Sequence, residues 1–311
     1  MKAQTIRYRP QGGLDLIESE VPDPGPGEVQ VRGLVCGICA WDLNTYRQGT
    51  AAGNAAPPGH EGVGVVVKVG AQVKGWAEGD RVAGGGFATL ANLQASGLYR
   101  LPASPLPDAL WMVEPASCVI TGVDHCQVRI GDRLAVVGCG YMGLMLVQCL
   151  ARSYALEVAA FDVDVARLAL AREFGASAAY NSAEPGFEAL LQPLEGTYDT
   201  VVDASGAAGG FALSNRLVRR AGRINQFGWV HGPLTASGDD WHLRGISLVN
   251  SSPAARLRDP FPVAIQLIAA GIIHQEQLVT HVVPLAEMDA LLAAVTRGQQ
   301  KGYIKGVVAL G

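Results

Sequence analysis

Two short segments in the first third of the chain carry side chains suited to chemistry. A Cys-x-x-Cys pair ends at Cys39 and is followed by Asp42, and a Gly-His-Glu triplet places His60 beside Glu61. Taken alone, a Cys-x-x-Cys pair is typical of redox sites, and a single histidine more often satisfies its hydrogen bonds in a core than binds a metal. Because both segments occur in one chain, the interpretations as a redox site and as a core histidine become less favoured.

A glycine-rich loop lies near the middle of the chain. The apolar run 134–137 predicts a strand, and it is followed directly by Gly138-Cys139-Gly140-Tyr141-Met142-Gly143 and then by a predicted helix. In this pattern the first glycine permits a tight turn, the second lets the backbone approach a pyrophosphate, and the third lets helix and strand pack closely. The helix N-terminus would hold the pyrophosphate through its N–H groups and dipole. We therefore expect Gly138, Gly140, Tyr141, Met142 and Gly143 to bind a dinucleotide.

Asp162 decides which dinucleotide is expected. It ends the next predicted strand, where an acidic side chain accepts hydrogen bonds from the ribose hydroxyls. A carboxylate there would repel a 2′-phosphate, so the sequence predicts NAD rather than NADP. Arg167 is expected near the adenosine end without reversing that preference. The alternative is a βαβ unit with a chance glycine pattern.

The chain divides by pattern into three parts that must position these groups. Residues 1–123 contain short β-like runs between Gly and Pro turns, which predicts a mainly β domain. In residues 124–249 strands alternate with helices, which predicts a doubly wound parallel sheet. Residues 250–311 are too few for a core of their own and are expected to complete the first domain. The predicted fold class is α/β.

Composition excludes several classes of partner. The 311 residues carry a net charge of -4, which provides no electrostatic footprint for nucleic acid or an anionic membrane. The chain contains no run of eighteen apolar residues, so no membrane span is expected. Six cysteines without a recognisable secretory segment indicate reduced thiols and a cytoplasmic protein.

Together these motifs resemble those of the zinc-containing medium-chain dehydrogenase/reductases, and among them most closely the sorbitol and other polyol dehydrogenases. The resemblance covers nearly the whole chain. It rests on Gly-x-x-Cys-Gly-Ile-Cys-x-x-Asp, Gly-His-Glu-x-x-Gly, Gly-Asp-Arg-Val, a Glu-Pro pair, the glycine-rich loop and a C-terminal Thr-His-Val-Val-Pro-Leu. It implies a GroES-like catalytic domain, a Rossmann domain that binds NAD, and a homodimer or homotetramer.

The resemblance also implies a zinc site. Cys39, His60 and Glu114 are expected to be its ligands, with Cys118 as the alternative third ligand. Glu61 is expected to be a fourth or exchanging ligand, or a group just outside the metal. A catalytic zinc keeps three protein ligands and one open position for a substrate oxygen. It lowers the pKa of a bound alcohol, and the nicotinamide accepts the hydride. The expected substrate is a secondary alcohol of a polyol, sugar or cyclitol.

Three further residues receive supporting roles from the resemblance. Asp42 is expected to accept a hydrogen bond from the distal nitrogen of His60 and so fix its tautomer. Cys36 matches a position that is not a ligand and is expected to be a buried thiol. Lys305 matches a position where a base reaches the cofactor pyrophosphate; a solvated surface lysine is the alternative.

The chain departs from the family in two respects. No cysteine lies between Cys39 and Cys118, so the lobe that carries a structural zinc is missing and one zinc per chain is expected. Trp41 and Asn44 occupy the positions of the usual proton-relay residues. A zinc-bound water, Glu61 or Thr45 would have to replace them, and Trp41 would pack either on the substrate or in the core.

Two other functions keep the same fold. One is a metal-free NADPH-dependent quinone or enone reductase, which would lack the cysteine and the Gly-His-Glu triplet and would not favour Asp162. The other is a catalytically inactive structural or regulatory protein that binds the cofactor. Substrate specificity is expected to depend on segments 41–54 and 87–110 and on the region near Trp229.

Overall fold

The computed structural model describes residues 1–50 and 58–311, apart from the side chain of Asp240. The described residues form two units. The strands are β1 (Lys2–Tyr8), β2 (Leu14–Glu20), β3 (Glu28–Gly37), β4 (Glu61–Val69), β5 (Arg81–Ala83), β6 (Leu90–Gln94), β7 (Tyr99–Arg100), β8 (Arg133–Val137), β9 (Glu157–Asp162), β10 (Ala178–Asn181), β11 (Tyr198–Asp203), β12 (Val218–Gln226), β13 (Ser247–Asn250), β14 (Val279–Pro284) and β15 (Lys305–Ala309). The helices are α1 (Ala40–Gln48), α2 (Val113–Cys126), α3 (Tyr141–Leu150), α4 (Val165–Glu173), α5 (Phe187–Leu191), α6 (Ala208–Leu217), α7 (Gly238–Arg244), α8 (Phe261–Ala269) and α9 (Met288–Thr296).

The first unit, Met1–Pro115 with Ile265–Gly311, is built mainly of β-strands. Its larger sheet has the order β14-β15-β3-β4-β5-β7, with β6 also paired to β3, and β1 pairs with β2 separately. β15 runs antiparallel to β3, and β3 runs antiparallel to β4. One apolar cluster combines residues from β1 and β3 with residues of the C-terminal segment, including Met288 and Val308. The C-terminal segment therefore shares the core of the N-terminal residues.

The second unit, Ala116–Ala264, contains a six-stranded sheet in the order β10-β9-β8-β11-β12-β13. Every strand pair in it is parallel. Leu134–Val137 of β8 are all at most 4 % exposed, as expected for a central strand covered on both faces. The predicted α/β class, with a GroES-like part and a doubly wound parallel sheet, is confirmed.

The unit boundaries differ from those expected at 123/124 and 249/250. Most of α2 and the segment up to Ala264 belong to the second unit. Contacts within that unit explain the difference: a ring nitrogen of His125 lies 2.7 Å from the carbonyl oxygen of Ala255, and Arg258 forms an ion pair with Asp124. These polar contacts hold the start of the C-terminal segment against α2. Sequence periodicity contains no information about them.

Among the described residues, no helix is both long and apolar enough to cross a membrane.

Candidate active site

Cys39 lies at the N-terminal end of α1, in the first unit. Its backbone N–H donates to Asp42 Oδ2 at 2.8 Å, which fixes the first turn of the helix. A helix N-terminus favours a thiolate through its positive dipole end. Burial and the nearby Glu61 carboxylate act in the opposite direction and raise the pKa of Cys39 to about 12. The side chain would therefore become a thiolate near neutral pH only beside a bound cation.

His60 and Glu61 are placed by the start of β4. Gly59 has a φ of +83°, and a Cβ there would come within 2.7 Å of the buried Phe87 ring. The Phe87 N–H also donates to the carbonyl of Pro58, which holds this turn in place. His60 is exposed, whereas Glu61 is buried and lies opposite Gly37 in the β3–β4 register.

Gly37 makes room for the Glu61 carboxylate. A Cβ on Gly37 would lie 2.0 Å from Glu61 Oε2 and 2.8 Å from the sulfur of Met112. Any larger residue would push the carboxylate away from this position. The sequence motifs assign Gly37 no role, and only its position inside the Cys-x-x-Cys segment points to the site.

One thiol, one imidazole and one carboxylate meet at this point. Ligand atoms of Cys39, His60 and Glu61 all lie within 4.8 Å of one another, and this is the one such group of three within residues 1–50 and 58–311. Sulfur, nitrogen and oxygen donors are the set that zinc takes in proteins. Glu61 Oε2 is buried and lies 2.5 Å from the Lys305 ammonium. The mixed donor set of Cys39, His60 and Glu61 therefore fits a divalent metal such as zinc.

The predicted third ligand is not in this group. Glu114 lies in the first turn of α2, and neither it nor Cys118 is among the three grouped side chains in the described part of the chain. Glu114 is among the ligands predicted from the resemblance, and Glu61 is predicted to be a fourth or exchanging ligand, or to lie just outside the metal. Glu61 joins the group because it follows His60 directly at the start of a strand whose register with Gly37 is fixed. Ligation by Glu114 stays a prediction.

Asp42 does not have the expected partner. Its Oδ1 accepts a hydrogen bond from the Tyr8 hydroxyl at 2.9 Å, and its Oδ2 accepts the one from the Cys39 N–H. The predicted contact with His60 is therefore replaced by contacts with Tyr8 and the Cys39 backbone. Burial, followed by the charge of Glu61, raises the pKa of Asp42 to about 6. Tyr8 was missed because it stands in β1, where nothing in its spacing points to the site.

Lys305 has a contact that the sequence motifs do not predict. It is 3 % exposed, so it is not a solvated surface lysine. Its Nζ lies 2.5 Å from Glu61 Oε2 and donates to the Ile38 carbonyl at 2.9 Å. The alternative of a surface lysine is therefore wrong, whereas the contact of Lys305 with the cofactor pyrophosphate stays a prediction. Sequence alone could not reveal the contact with Glu61, since it depends on the β15–β3–β4 order.

Trp41 and Asn44, at the positions of the usual proton-relay residues, both contact other side chains of the first unit. Trp41 packs against the apolar cluster of the first unit, with its ring 6.3 Å from that of Tyr8 in an edge-on arrangement. This favours the interpretation of Trp41 as a core aromatic. Asn44 accepts a hydrogen bond from Arg47, and Thr45 is buried. Residues 51–54 of the expected specificity segment lie outside the described residues.

In the second unit the glycine-rich loop has the geometry that its pattern predicts. Gly138 has a φ of +94°, and a Cβ there would lie 2.6 Å from the Ser205 Cα. A Cβ on Gly143 would lie 1.9 Å from the Gly138 carbonyl oxygen. Gly140 caps α3, and an added Cβ would meet no atom within 4 Å. Gly138 and Gly143 are thus required by the fold, whereas the space beside Gly140 remains open to a ligand.

A cavity of about 580 Å³ adjoins this loop, and Gly138, Gly140, Asp162 and Arg167 are among its lining residues. Tyr141 and Met142 begin α3 directly after Gly140. Asp162 Oδ2 accepts from the Cys139 N–H at 2.5 Å, and Oδ1 accepts from the Asp164 N–H at 2.9 Å. Asp162 therefore braces the glycine loop and also faces the cavity. An open loop at a helix N-terminus next to a carboxylate fits a dinucleotide.

Two models of known protein families match this chain, one in each half. Residues 25–103 match the model of the alcohol dehydrogenase GroES-like domain, and residues 142–270 match that of the zinc-binding dehydrogenases. An erythritol/L-threitol dehydrogenase of Mycolicibacterium smegmatis is 27% identical, with 92% of each chain covered.

Solved structures of dehydrogenases share the fold of this chain. An alcohol dehydrogenase of Escherichia coli complexed with NADH is 26% identical with a TM-score of 0.84, and 99% of each chain is covered. A putative zinc-binding dehydrogenase of Sinorhizobium meliloti bound to NADP has a TM-score of 0.87 at 22% identity, again over 99% of each chain.

The chain belongs to the zinc-containing medium-chain dehydrogenase/reductase superfamily, close to the polyol dehydrogenases. It is an oxidoreductase of this superfamily.

Replacing Gly37 by Ala tests whether the Glu61 pocket supports metal binding. The added methyl group would collide with Glu61 Oε2, so either the carboxylate or the segment carrying Cys39 must move. We expect zinc affinity to fall roughly 10–100-fold, the usual effect of disturbing groups around a metal site. Competition with a chromogenic chelator measures it. Gly27→Ala is the matched control, because its Cβ would meet only Gln94 Oε1 at 3.7 Å. Wild-type affinity in Gly37→Ala would contradict the role given to this glycine.

Two substitutions in the glycine loop should have opposite effects. Gly143→Ala creates a clash with the Gly138 carbonyl and should lower the free energy of unfolding by about 1–3 kcal/mol or more. Gly140→Ala fits the protein and should cost under about 1 kcal/mol as a changed N-cap. It should nevertheless weaken NADH binding at least roughly tenfold, because its methyl group occupies the space for the pyrophosphate. Thermal unfolding and NADH fluorescence titration measure the two effects. Equal NADH affinity in Gly140→Ala and wild type would argue against this binding mode.

Proposed function

We propose that the protein is an NAD-dependent, zinc-dependent dehydrogenase that interconverts a secondary alcohol and a ketone of a polyol, sugar or cyclitol. The observation that carries the proposal is the grouping of Cys39, His60 and Glu61 ligand atoms within 4.8 Å. The names of its relatives, including an erythritol/L-threitol dehydrogenase and a sorbitol dehydrogenase, support a polyol substrate.

The residues of the first unit would hold one zinc through Cys39, His60 and a carboxylate, with Glu114 as the expected third ligand and Glu61 beside it. A bound zinc supplies Lewis-acid polarisation of the substrate oxygen, and bound NAD accepts or returns the hydride. Asp42 and Tyr8 position the Cys39 backbone through the two hydrogen bonds to the Asp42 carboxylate. The absence of cysteines between Cys39 and Cys118 supports one zinc per chain.

The proposed preference for NAD follows from the negative charge of Asp162. Asp162 is held by two backbone N–H groups and lines the cavity beside the glycine loop. A fixed carboxylate in that position disfavours the 2′-phosphate of NADP. Related structures bind either cofactor, NADH in one case and NADP in another, so the assignment to NAD rests on Asp162. We also propose a homodimer or homotetramer, which size-exclusion chromatography with light scattering tests.

Zinc content and NADH formation together test the reaction. We expect about one zinc per chain and NADH production from at least one member of a panel of sugar alcohols, cyclitols and sugar acids. Cys39→Ser and His60→Ala should lose the zinc and at least roughly a thousandfold in kcat/KM, because the metal carries the polarisation. His242→Ala, another exposed histidine, is the matched control.

Each alternative function gives a different result in this experiment. Full turnover without metal would overturn the proposal. NADPH-dependent reduction of enones by a zinc-free protein would identify a quinone or enone reductase, and cofactor binding without turnover on any substrate would identify an inactive relative.

Asp162→Asn tests the cofactor preference. The amide keeps one oxygen that can accept from the Cys139 N–H, so the loop should persist while the negative charge is lost. We expect the ratio of NAD to NADP efficiency to fall roughly tenfold, corresponding to about 1.4 kcal/mol of removed repulsion. A wild-type enzyme that already prefers NADP would contradict the assignment.

A further inference from the structure

The buried ion pair between Lys305 and Glu61 has no role in the function argued so far. Both side chains are only about 3 % exposed, and their closest atoms are 2.5 Å apart. A buried charge is strongly unfavourable unless a partner compensates it. The Lys305 ammonium also donates to the Ile38 carbonyl, so two acceptors hold it in one place.

Strand register makes this pair a fixed feature of the fold. Gly37 pairs with Glu61 of β4 on one side and with Val307 of β15 on the other. The Ile38 N–H donates to the Gly306 carbonyl at 2.9 Å, which places the start of β15 beside the same turn. Lys305 and Glu61 therefore approach each other from the strands on either side of β3. The pairing of the sheet thus fixes the backbone positions of both residues.

Glu61 thus has two possible cationic partners. Its carboxylate belongs to the group of three metal-ligand side chains, and one of its oxygens is in contact with the ammonium. A metal whose coordination positions are all filled by protein has none left for an alcohol. A carboxylate attracted to a second, immobile cation is less available to fill the last position.

We propose that Lys305 is a positioning residue that holds Glu61 back from permanent metal ligation and so keeps one coordination position open. This inference rests on the proposed zinc site. It also implies that a residue other than Glu61, such as the predicted Glu114, completes the permanent ligand set.

Cobalt substitution provides the test, because the visible spectrum of bound Co(II) reports the number and type of its ligands without any turnover. In Lys305→Met the ammonium is removed at similar side-chain volume, and Glu61 should become a ligand. We expect a changed Co(II) spectrum and zinc that dissociates to a chelator about tenfold more slowly. Lys305→Arg, which keeps the charge, should retain the wild-type spectrum. Lys301→Met, an exposed lysine near the same strand, is the matched control.

The double variant Lys305→Met/Glu61→Gln separates ligation from a general charge effect. If Glu61 is the added ligand, the double variant should lose both the new spectrum and the slower dissociation. Persistence of the slower dissociation in the double variant would overturn the proposal. A Lys305→Met protein with the wild-type Co(II) spectrum would also overturn it.

Glu61→Gln alone keeps the test decisive if Lys305→Met does not fold. In the presence of Lys305 the carboxylate is not a permanent ligand, so this variant should retain the wild-type Co(II) spectrum. A spectrum that loses a ligand in Glu61→Gln would overturn the proposal. A different result would overturn the proposed function itself, namely a wild-type protein that binds neither zinc nor cobalt at Cys39 and His60.

Discussion

The pairing of β3 with both β4 and β15 at Gly37 is the constraint on which the first unit's site depends. It brings Glu61 and Lys305 together from strands far apart in sequence. Directly after Gly37 the chain turns into α1, so the end of the same strand also positions Cys39. A shift of one residue in this register would turn alternate side chains to the other face of the sheet. The buried charges would then lose their partners, so the ion pair and the register support each other.

Both sites use missing Cβ atoms to create space, but for different purposes. At Gly37 the space is taken by the protein's own carboxylate, and at Gly143 by the close approach of the Gly138 carbonyl. Beside Gly140 the space is left unfilled, next to a cavity and a helix N-terminus. Gly37 and Gly143 are thus required by close packing within the protein, whereas the combination of open space, a cavity and a helix N-terminus at Gly140 fits a ligand.

Much of this arrangement could be predicted from sequence because it is local. The strand–loop–helix at Gly138 and the neighbours His60 and Glu61 follow from periodicity and short motifs. The contacts that sequence patterns do not predict have a common property, since each joins distant segments. Asp42 binds Tyr8 of β1, Lys305 binds Glu61 across β3, and His125 holds the segment near Ala255. Family resemblance supplied partners for Asp42 and Lys305 by position, but it could not supply the sheet order that decides which side chains meet.

Trp41, at one of the usual proton-relay positions, also depends on a contact between distant segments. Trp41 contributes its ring to the apolar cluster next to Tyr8, and the Tyr8 hydroxyl holds the carboxylate that fixes the Cys39 backbone. Trp41 therefore packs beside the groups that hold the Cys39 backbone, and its side chain has no hydroxyl that could relay a proton. The proposed metal site thus combines a Cys39 backbone held by Asp42 with a buried ammonium beside Glu61, and the usual serine–histidine pair is replaced by Trp41 and Asn44.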